Sequence, residues 1–162
     1  MIRPATVQDA PDIAALWNDL IAHTTVTFTS TPKTSADITA LIGDTARAVL
    51  VADHEGGFAG FGLLGPFRSG PGYAHTVEHT IYIQPDARGN GIGATLMSAL
   101  EQAAGARGHH QMIGAISGTN ADAIAFHETM GFAHVGKIAQ AGRKNGQWLD
   151  LVLMQKFVHT TP

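Results

Sequence analysis

A glycine-rich loop between an apolar segment and a helical pattern is the stretch best suited to bind a ligand. Residues 81–100 are IYIQPDARGNGIGATLMSAL, with Gly89, Gly91 and Gly93 at alternate positions. Glycine lets backbone N–H groups approach a ligand closely, and the first N–H groups of a helix have no acceptor within it. With the positive end of the helix dipole, they suit a phosphate or pyrophosphate, and Arg88 adds a cation. The alternative is a turn that only starts a helix.

Two nucleotide-binding motifs do not fit this loop. A dinucleotide fingerprint counted from Gly91 needs a third glycine where Leu96 stands, and an acidic residue about 20 positions on, where Gln111 stands. A P-loop needs Gly-Lys-Ser/Thr at its end, and Ala94-Thr95 does not supply it. The loop therefore predicts a phosphate ligand of another kind.

Glu78, in the segment TVEHT, is the carboxylate placed best for proton transfer. Strand alternation puts Glu78, Thr80 and Tyr82 on one face and His79 on the other. An α-amino group has a pKa of about 8, so roughly one in ten of the substrate amino groups is neutral at pH 7. A positioned base would then contribute about 10²–10⁴ in rate. The alternative is a solvated strand carboxylate.

His127 is the second candidate for proton chemistry. It follows Asn120 by seven residues, which is two helical turns, so the two side chains share a face. Asn120 is also a good helix N-cap without any ligand. The alternative for His127 is a half-buried structural histidine. His75 and His79 would lie about 13 Å apart along a strand, too far to share a metal ion.

Composition excludes several classes of protein. The chain has no cysteine, which rules out disulfides, thiolate metal sites and a cysteine nucleophile. Ten basic and 13 acidic residues give a net charge of −3, so a nucleic-acid partner is not expected. No apolar run approaches the roughly 20 residues of a membrane span, and the N-terminus lacks the apolar centre of a signal peptide. We therefore predict a cytoplasmic protein without a membrane partner.

The elements that position these residues follow the order β-α-α-β-β-β-α-β-α-β-β. Ile13, Leu16 and Leu20 lie at helical spacing, Thr34 precedes a second helix as an N-cap, and Asn145-Gly146 indicates a hairpin turn. The order predicts a mixed α/β protein whose helices cover one sheet. We expect a single domain over residues 1–157 and a frayed tail over 158–162.

Three motifs in register resemble a known family. Arg88 to Gly93 match the [RQ]-x-x-G-x-[GA] loop of the GNAT superfamily of acetyl-CoA-dependent N-acetyltransferases. TVEHTIYI before the loop and NADAIAFHETMGF after it resemble the phosphinothricin and methionine sulfoximine acetyltransferase branch. The resemblance covers nearly the whole chain. It implies the GNAT fold, with a mixed, mostly antiparallel sheet of about seven strands and helices on both faces.

The resemblance also implies how acetyl-CoA is bound. The loop backbone would hold the pyrophosphate, the strand before it would pair with the pantetheine arm and direct an N–H at the thioester carbonyl, and an asparagine would bond the arm. No metal is expected. The implied cofactor-binding residues are Ile81, Tyr82, Ile83, Arg88, Gly89, Asn90, Gly91, Ile92, Gly93 and Asn120.

The implied catalytic residues are Glu78, which would accept the proton of the ammonium group, and His127. Many superfamily members carry a tyrosine at the second position, thought to protonate the leaving thiolate; histidine is usual in the branch named above. His127 could order the substrate, relay a proton or donate to the sulfur. For the substrate, we predict that Arg68 pairs with a carboxylate and that Phe28 and Tyr73 wall the side-chain pocket.

The function expected from the resemblance is transfer of an acetyl group from acetyl-CoA to the α-amino group of a small amino-acid analogue. Phosphinothricin, methionine sulfoximine and methionine sulfone are of this type. The alternatives are acetylation of another amine (a polyamine, an aminoglycoside or a protein N-terminus) and a non-catalytic acetyl-CoA sensor. Arg143 and Lys144 compete with Arg68 for the substrate carboxylate, the alternative for both being an exposed turn. The branch is typically homodimeric, which implies a homodimer here.

Overall fold

Seven strands form one sheet in the computed structural model, which describes residues 1–158. In chain order, β1 to β7 are Ile2–Pro4, Ala48–His54, Gly57–Pro66, Thr76–Ile83, Gln111–Ser117, Ala133–Lys144 and Gln147–Phe157. Their spatial order is β1-β2-β3-β4-β5-β7-β6. Only β4 and β5 are parallel neighbours. The predicted mixed, mostly antiparallel sheet is confirmed.

Four α-helices cover this sheet within the described residues. In chain order, α1 to α4 are Ala10–His23, Ser35–Gly43, Ile92–Ala106 and Ala121–Thr129. Helices α1 and α2 pack on one face of the sheet, in a cluster that includes Phe61. Helices α3 and α4 pack on the other face, in a cluster that includes Leu64. Because side chains alternate along β3, these two residues point to opposite faces, and the prediction of helices on both faces is confirmed.

The central strand β3 is buried on both faces. Phe61 contacts the α1 side, where Ile13 and Leu16 are almost fully buried. On the α3 side, a Cβ at Gly62 would lie 2.7 Å from the Leu100 side chain. A glycine at this position therefore lets α3 approach the sheet closely, and α3 leads directly from the glycine-rich loop.

Local signals in the sequence predicted the connections well. Asn145 and Gly146 have φ of 52° and 73°, the left-handed pair that a two-residue hairpin requires. At the start of α2, Asp37 N–H donates to Thr34 Oγ1 at 3.1 Å, and Thr34 N–H donates back to Asp37 at 2.8 Å. The predicted turn and the predicted cap are confirmed.

The C-terminal end of the domain extends beyond the predicted boundary. Val158, predicted to begin a frayed tail, is buried in the core and its N–H donates to the His110 carbonyl at 3.0 Å. The prediction is wrong for this residue because an apolar side chain that packs into the core beside β5 and β7 gains more from burial than from fraying. Residues 159–162 of the predicted tail lie outside the described residues. Within residues 1–158, no helix is long and apolar enough to cross a membrane.

Candidate active site

Strands β4 and β5 run side by side only along their first halves. Their parallel ladder ends where His79 faces Gly114. Beyond that point β4 remains paired with β3 and β5 with β7, so the two strands diverge and a cavity of about 690 Å³ opens between them. Each diverging strand keeps backbone N–H and C=O groups on an edge that no strand covers. The lining includes residues 80–83, 91–94 and 115–117, together with Leu20, Thr24 and Val26.

The glycine-rich loop forms one end of this cavity. Gly89 and Gly91 have φ of 81° and 75°, left-handed values that glycine adopts without strain. Gly91 is the N-cap of α3 and has no side chain to accept from the first N–H groups of the helix. A Cβ built at either glycine would have no neighbour within 4 Å. The loop therefore has both the donors and the open space that a phosphate group requires.

The other predicted loop residues differ in their placement. Arg88 is exposed and lines the cavity, and its Nε–H donates to the Ile83 carbonyl at 3.4 Å. Ile92 and Gly93, in the first turn of α3, also line the cavity. Asn90 does not: its amide group donates to the Ala87 carbonyl at 3.3 Å, so its side chain serves the loop rather than the cavity.

Helix α4 forms a second wall. Asn120 caps it, with Oδ1 accepting from the Ala123 N–H at 3.2 Å, and also lines the cavity. Two turns on, His127 lines the same cavity and is 4% exposed. The shared face predicted for these two residues is thus present.

His127 forms a buried hydrogen bond with His79. The two Nε2 atoms lie 2.8 Å apart, the ring centroids are 5.0 Å apart with the ring planes inclined by 27°, so the rings meet edge to edge, and His79 is 6% exposed. The contact lies at the vertex where β4 and β5 separate, since His79 is the last β4 residue paired with β5. Sequence reasoning missed this partner, although it placed His79 on the face of β4 opposite Glu78.

Glu78 and His127 lie on opposite faces of the sheet. Thr80 and Tyr82 share the face of Glu78, and the Tyr82 ring packs against Trp17 on the α1 side. Glu78 is half-buried and is not part of the cavity lining. Burial raises its pKa, and no hydrogen bond or neighbouring charge opposes that effect. A half-buried carboxylate with a raised pKa is a better proton acceptor than an exposed one.

The three predicted substrate residues do not line this cavity. Arg68 stacks on Tyr73, with its guanidinium carbon 5.4 Å from the ring centroid, and both border a second cavity of about 460 Å³ near the end of β3. Phe28 packs against β6, where a Cβ at Gly142 would collide with its ring. Their substrate roles stay predictions.

Lys144 has a structural position instead of lying in an exposed turn. It is 4% exposed, and its ammonium group donates to the carbonyls of Thr24 and Thr27 at 2.8 and 2.9 Å. These bonds hold the segment after α1, which lines the cavity. Arg143 instead stacks over Trp148, with its guanidinium carbon 4.6 Å from the ring centroid. Among residues 1–158, no cluster of three His, Asp or Glu side chains could hold a metal ion.

The sequence and the fold of the chain match those of known proteins. Residues 13–132 match the model of the acetyltransferase (GNAT) family. The chain belongs to the GNAT acetyltransferase family. The GNAT fold and the branch resemblance predicted from the sequence are confirmed.

Relatives of this GNAT chain include enzymes for small amino-acid analogues. A methionine sulfoximine/methionine sulfone acetyltransferase of Pseudomonas aeruginosa is 40% identical over 95% of this chain and 92% of its own length. A phosphinothricin acetyltransferase of Sinorhizobium meliloti, solved with acetyl-CoA, has a TM-score of 0.90 at 32% identity, covering 98% of this chain and 88% of that one. A ribosomal-protein-alanine N-acetyltransferase of Brucella melitensis has a TM-score of 0.93 at 37% identity, covering 97% and 99%.

The buried histidine of this GNAT chain gives a prediction for stability against pH. Burial, with His127 as a close neighbour, holds the pKa of His79 well below its usual value of 6.5. Below about pH 6.5 the unfolded chain binds a proton that the folded chain does not, so the free energy of unfolding falls as pH is lowered. The slope from one such group is at most about 1.4 kcal/mol per pH unit. Because glutamine does not titrate, H79Q should lose less stability between pH 6.5 and 4.5 in urea unfolding; equal losses would contradict the prediction.

Proposed function

We propose that this GNAT enzyme transfers the acetyl group of acetyl-CoA to the α-amino group of a small amino-acid analogue of the phosphinothricin, methionine sulfoximine or methionine sulfone type. The observation that carries the proposal is a cavity lined both by the uncapped, glycine-rich start of α3 and by residues at the β4–β5 vertex. The names of the relatives at 40% and 32% identity support the substrate class.

The residues present fit acetyl-CoA. Its pyrophosphate would bind the loop from Arg88 to Gly93, where Gly91 leaves the helix N–H groups uncapped. Its pantetheine arm would lie along the free edge of Ile81–Ile83, with Asn120 as a further hydrogen-bonding group. When bound, acetyl-CoA supplies the activated acyl group. A main-chain N–H of β4 would stabilise the negative charge on the carbonyl oxygen.

We place the amine and the acetyl group on opposite faces of the sheet. Leu20, Thr24 and Val26 of the α1 side and His127 of the α4 side all line the cavity, so it passes between the diverging strands. We assign the amine to the side of Glu78, whose raised pKa suits removal of an ammonium proton directly or through a water. His127 faces the acetyl group from the other side.

We also propose a homodimer, active in the cytoplasm. The support is an uncovered apolar surface: Val135, Ile138 and Trp148, on the edge hairpin of β6 and β7, are about half exposed. Long exposed edge strands invite pairing with another chain. Sedimentation should give twice the mass of the chain, and charged substitutions at Val135 and Ile138 should return it to a monomer.

Arg68 remains our choice for the substrate carboxylate, through a rearranged loop or from a partner copy. Arg68→Ala should raise KM for an amino-acid substrate about ten-fold or more, the value of a lost charge-assisted hydrogen bond, while leaving acetyl-CoA affinity nearly unchanged. Esterifying the substrate carboxylate should cost the parent much and the variant little. Equal losses in both would remove Arg68 from the substrate site.

A thiol-release screen tests the function as a whole. Methionine sulfoximine, methionine sulfone and phosphinothricin are compared with the common amino acids, a polyamine, an aminoglycoside and a peptide with N-terminal alanine. The proposal expects the highest kcat/KM among the first three. The second candidate substrate is a protein N-terminus, because the Brucella melitensis neighbour is named a ribosomal-protein-alanine N-acetyltransferase. Acetylation of the peptide with N-terminal alanine tests this candidate. Acetyl-CoA binding without turnover of any amine would support a sensor instead.

A further inference from the structure

Two imidazoles share a single buried hydrogen bond at the vertex of the cavity. The His79 and His127 rings lie side by side over Gly114, where a Cβ would come within 3.2 Å of both rings. The Phe132 ring packs nearly perpendicular to the His127 ring, with ring centroids 5.1 Å apart. Gly114 therefore leaves room for the two rings, and Phe132 provides an apolar neighbour on one side.

The hydrogen bonds fix where the protons lie. His127 Nδ1 is 2.7 Å from the Ala123 carbonyl, and a carbonyl only accepts, so Nδ1 carries a hydrogen. The other nitrogen of neutral His127, Nε2, is then an acceptor. The hydrogen in the 2.8 Å contact belongs to His79 Nε2. His79 Nδ1 is left unprotonated and makes no hydrogen bond of normal geometry within residues 1–158, although the Ile113 backbone near the ring partly opposes the lowering of the His79 pKa.

This arrangement leaves neither nitrogen of His127 free. A neutral histidine offers one donor and one acceptor, and both are used, by Ala123 and by His79. The two bonds tie His127 to its own helix on one side and to β4 on the other. Without the hydrogen from His79, His127 Nε2 would be a buried acceptor with no partner, which favours the other tautomer or a turned ring.

We propose that His79 is the positioning residue of His127: by donating its Nε2 hydrogen it keeps His127 in the Nδ1–H tautomer and holds its ring at the β4–β5 vertex. The inference rests on the proposed acetyl transfer, in which His127 faces the acetyl group. The pair also links α4 to β4 where the strands separate. A small displacement there moves the groups around the thioester, and such misplacement costs up to about 100-fold in rate.

Two substitutions at His79 separate hydrogen bonding from packing. In H79L, a side chain of similar size has no donor. In H79Q, the amide NH₂ can take the place of the imidazole Nε2–H. We expect kcat with methionine sulfone to fall about 10- to 100-fold in H79L and to stay within about three-fold of the parent in H79Q. Acetyl-CoA affinity should change less than about three-fold in both.

The control is H75L, an exposed histidine just before β4 that bonds the Gly108 carbonyl instead. Its kcat should equal that of the parent. Far-UV circular dichroism and thermal unfolding establish that each variant is folded under assay conditions. A folded H79L with parental kcat, or an H79Q that loses as much as H79L, would overturn the proposal.

Nitrogen-15 NMR of the imidazoles gives a readout that packing alone would not change. In the parent and in H79Q, His127 should carry its hydrogen on Nδ1. In H79L, the resonances should move towards the Nε2–H tautomer or a mixture of both. An Nε2–H tautomer of His127 in the parent would overturn the hydrogen-bond assignment even if acetyl transfer is observed. A parent with the Nδ1–H tautomer but no acetyl transfer would defeat the proposed function, and the positioning role with it.

Discussion

Replacing Glu78 with glutamine is expected to lower kcat/KM for the amino-acid substrate by about 10²–10⁴ near pH 7. Glutamine keeps the shape of the side chain and its hydrogen-bonding capacity but cannot accept the ammonium proton. Glu78 is half-buried on the face of β4 that points towards α1, and burial raises its pKa. Steady-state kinetics with methionine sulfone, at saturating acetyl-CoA, measures the effect.

The pH profile distinguishes a lost base from a damaged pocket. The deficit of E78Q should shrink as pH rises towards the pKa of the substrate amine, because free amine then arrives without help. A defect in H127A should persist at high pH if His127 orders the acetyl group.

The matched control is E128Q, on the exposed face of α4, where Glu128 pairs with His134 at 2.6 Å. It removes one carboxylate from the same molecule and should leave kcat/KM unchanged. A folded, acetyl-CoA-binding E78Q with parental activity at pH 7 would refute the base assignment and leave solvent to accept the proton, since both nitrogens of His127 are already hydrogen-bonded.

Most elements of the fold could be predicted from residues that are neighbours in the sequence. The glycine loop, the cap at Thr34 and the Asn145-Gly146 turn are decided by residues within four positions of each other, and each formed as predicted. The extent of strand β6, which continues to Lys144, was harder to predict from the sequence. A register shift between Ile138 and Gly142 interrupts its alternation, so its pattern is not that of a regular strand.

The candidate site was harder to predict, because its geometry depends on contacts between residues that are distant in the sequence. Glu78 and His127 were both found by residue type and motif, yet their opposite faces follow only once β4 and α4 are packed on the same sheet. The bond between His79 and His127 joins positions 48 residues apart. Strand alternation placed His79 on the face of β4 opposite Glu78 but could not supply the partner. Lys144 likewise looked like an exposed turn because its acceptors, Thr24 and Thr27, come from the other end of the chain.

The second prediction with a large expected effect concerns the glycine-rich loop and the stabilisation by acetyl-CoA. Gly91→Val should abolish the stabilisation that acetyl-CoA gives the parent. A ligand that binds only the folded state adds about 2.7 kcal/mol at 100 times its Kd, which is about 5–10 °C in Tm for a chain of this size. Valine disfavours the φ of 75° at Gly91 and places a branched side chain in the open space beside the α3 N-terminus. Differential scanning fluorimetry with and without acetyl-CoA measures the shift.

The strain of valine at a left-handed position needs its own control, and Gly108 provides it. Gly108 has φ of 79° and equally open surroundings, but it follows the C-terminal end of α3 and does not line the cavity. G108V should therefore lose a similar amount of basal Tm while keeping the parental shift with acetyl-CoA. If G91V is too unstable to measure, G91A retains the left-handed requirement with less bulk and should show a reduced shift. A folded G91V that binds acetyl-CoA as tightly as the parent would show that the pyrophosphate does not lie on this loop, since a β-carbon branch at the helix start blocks the approach that the free N–H groups require.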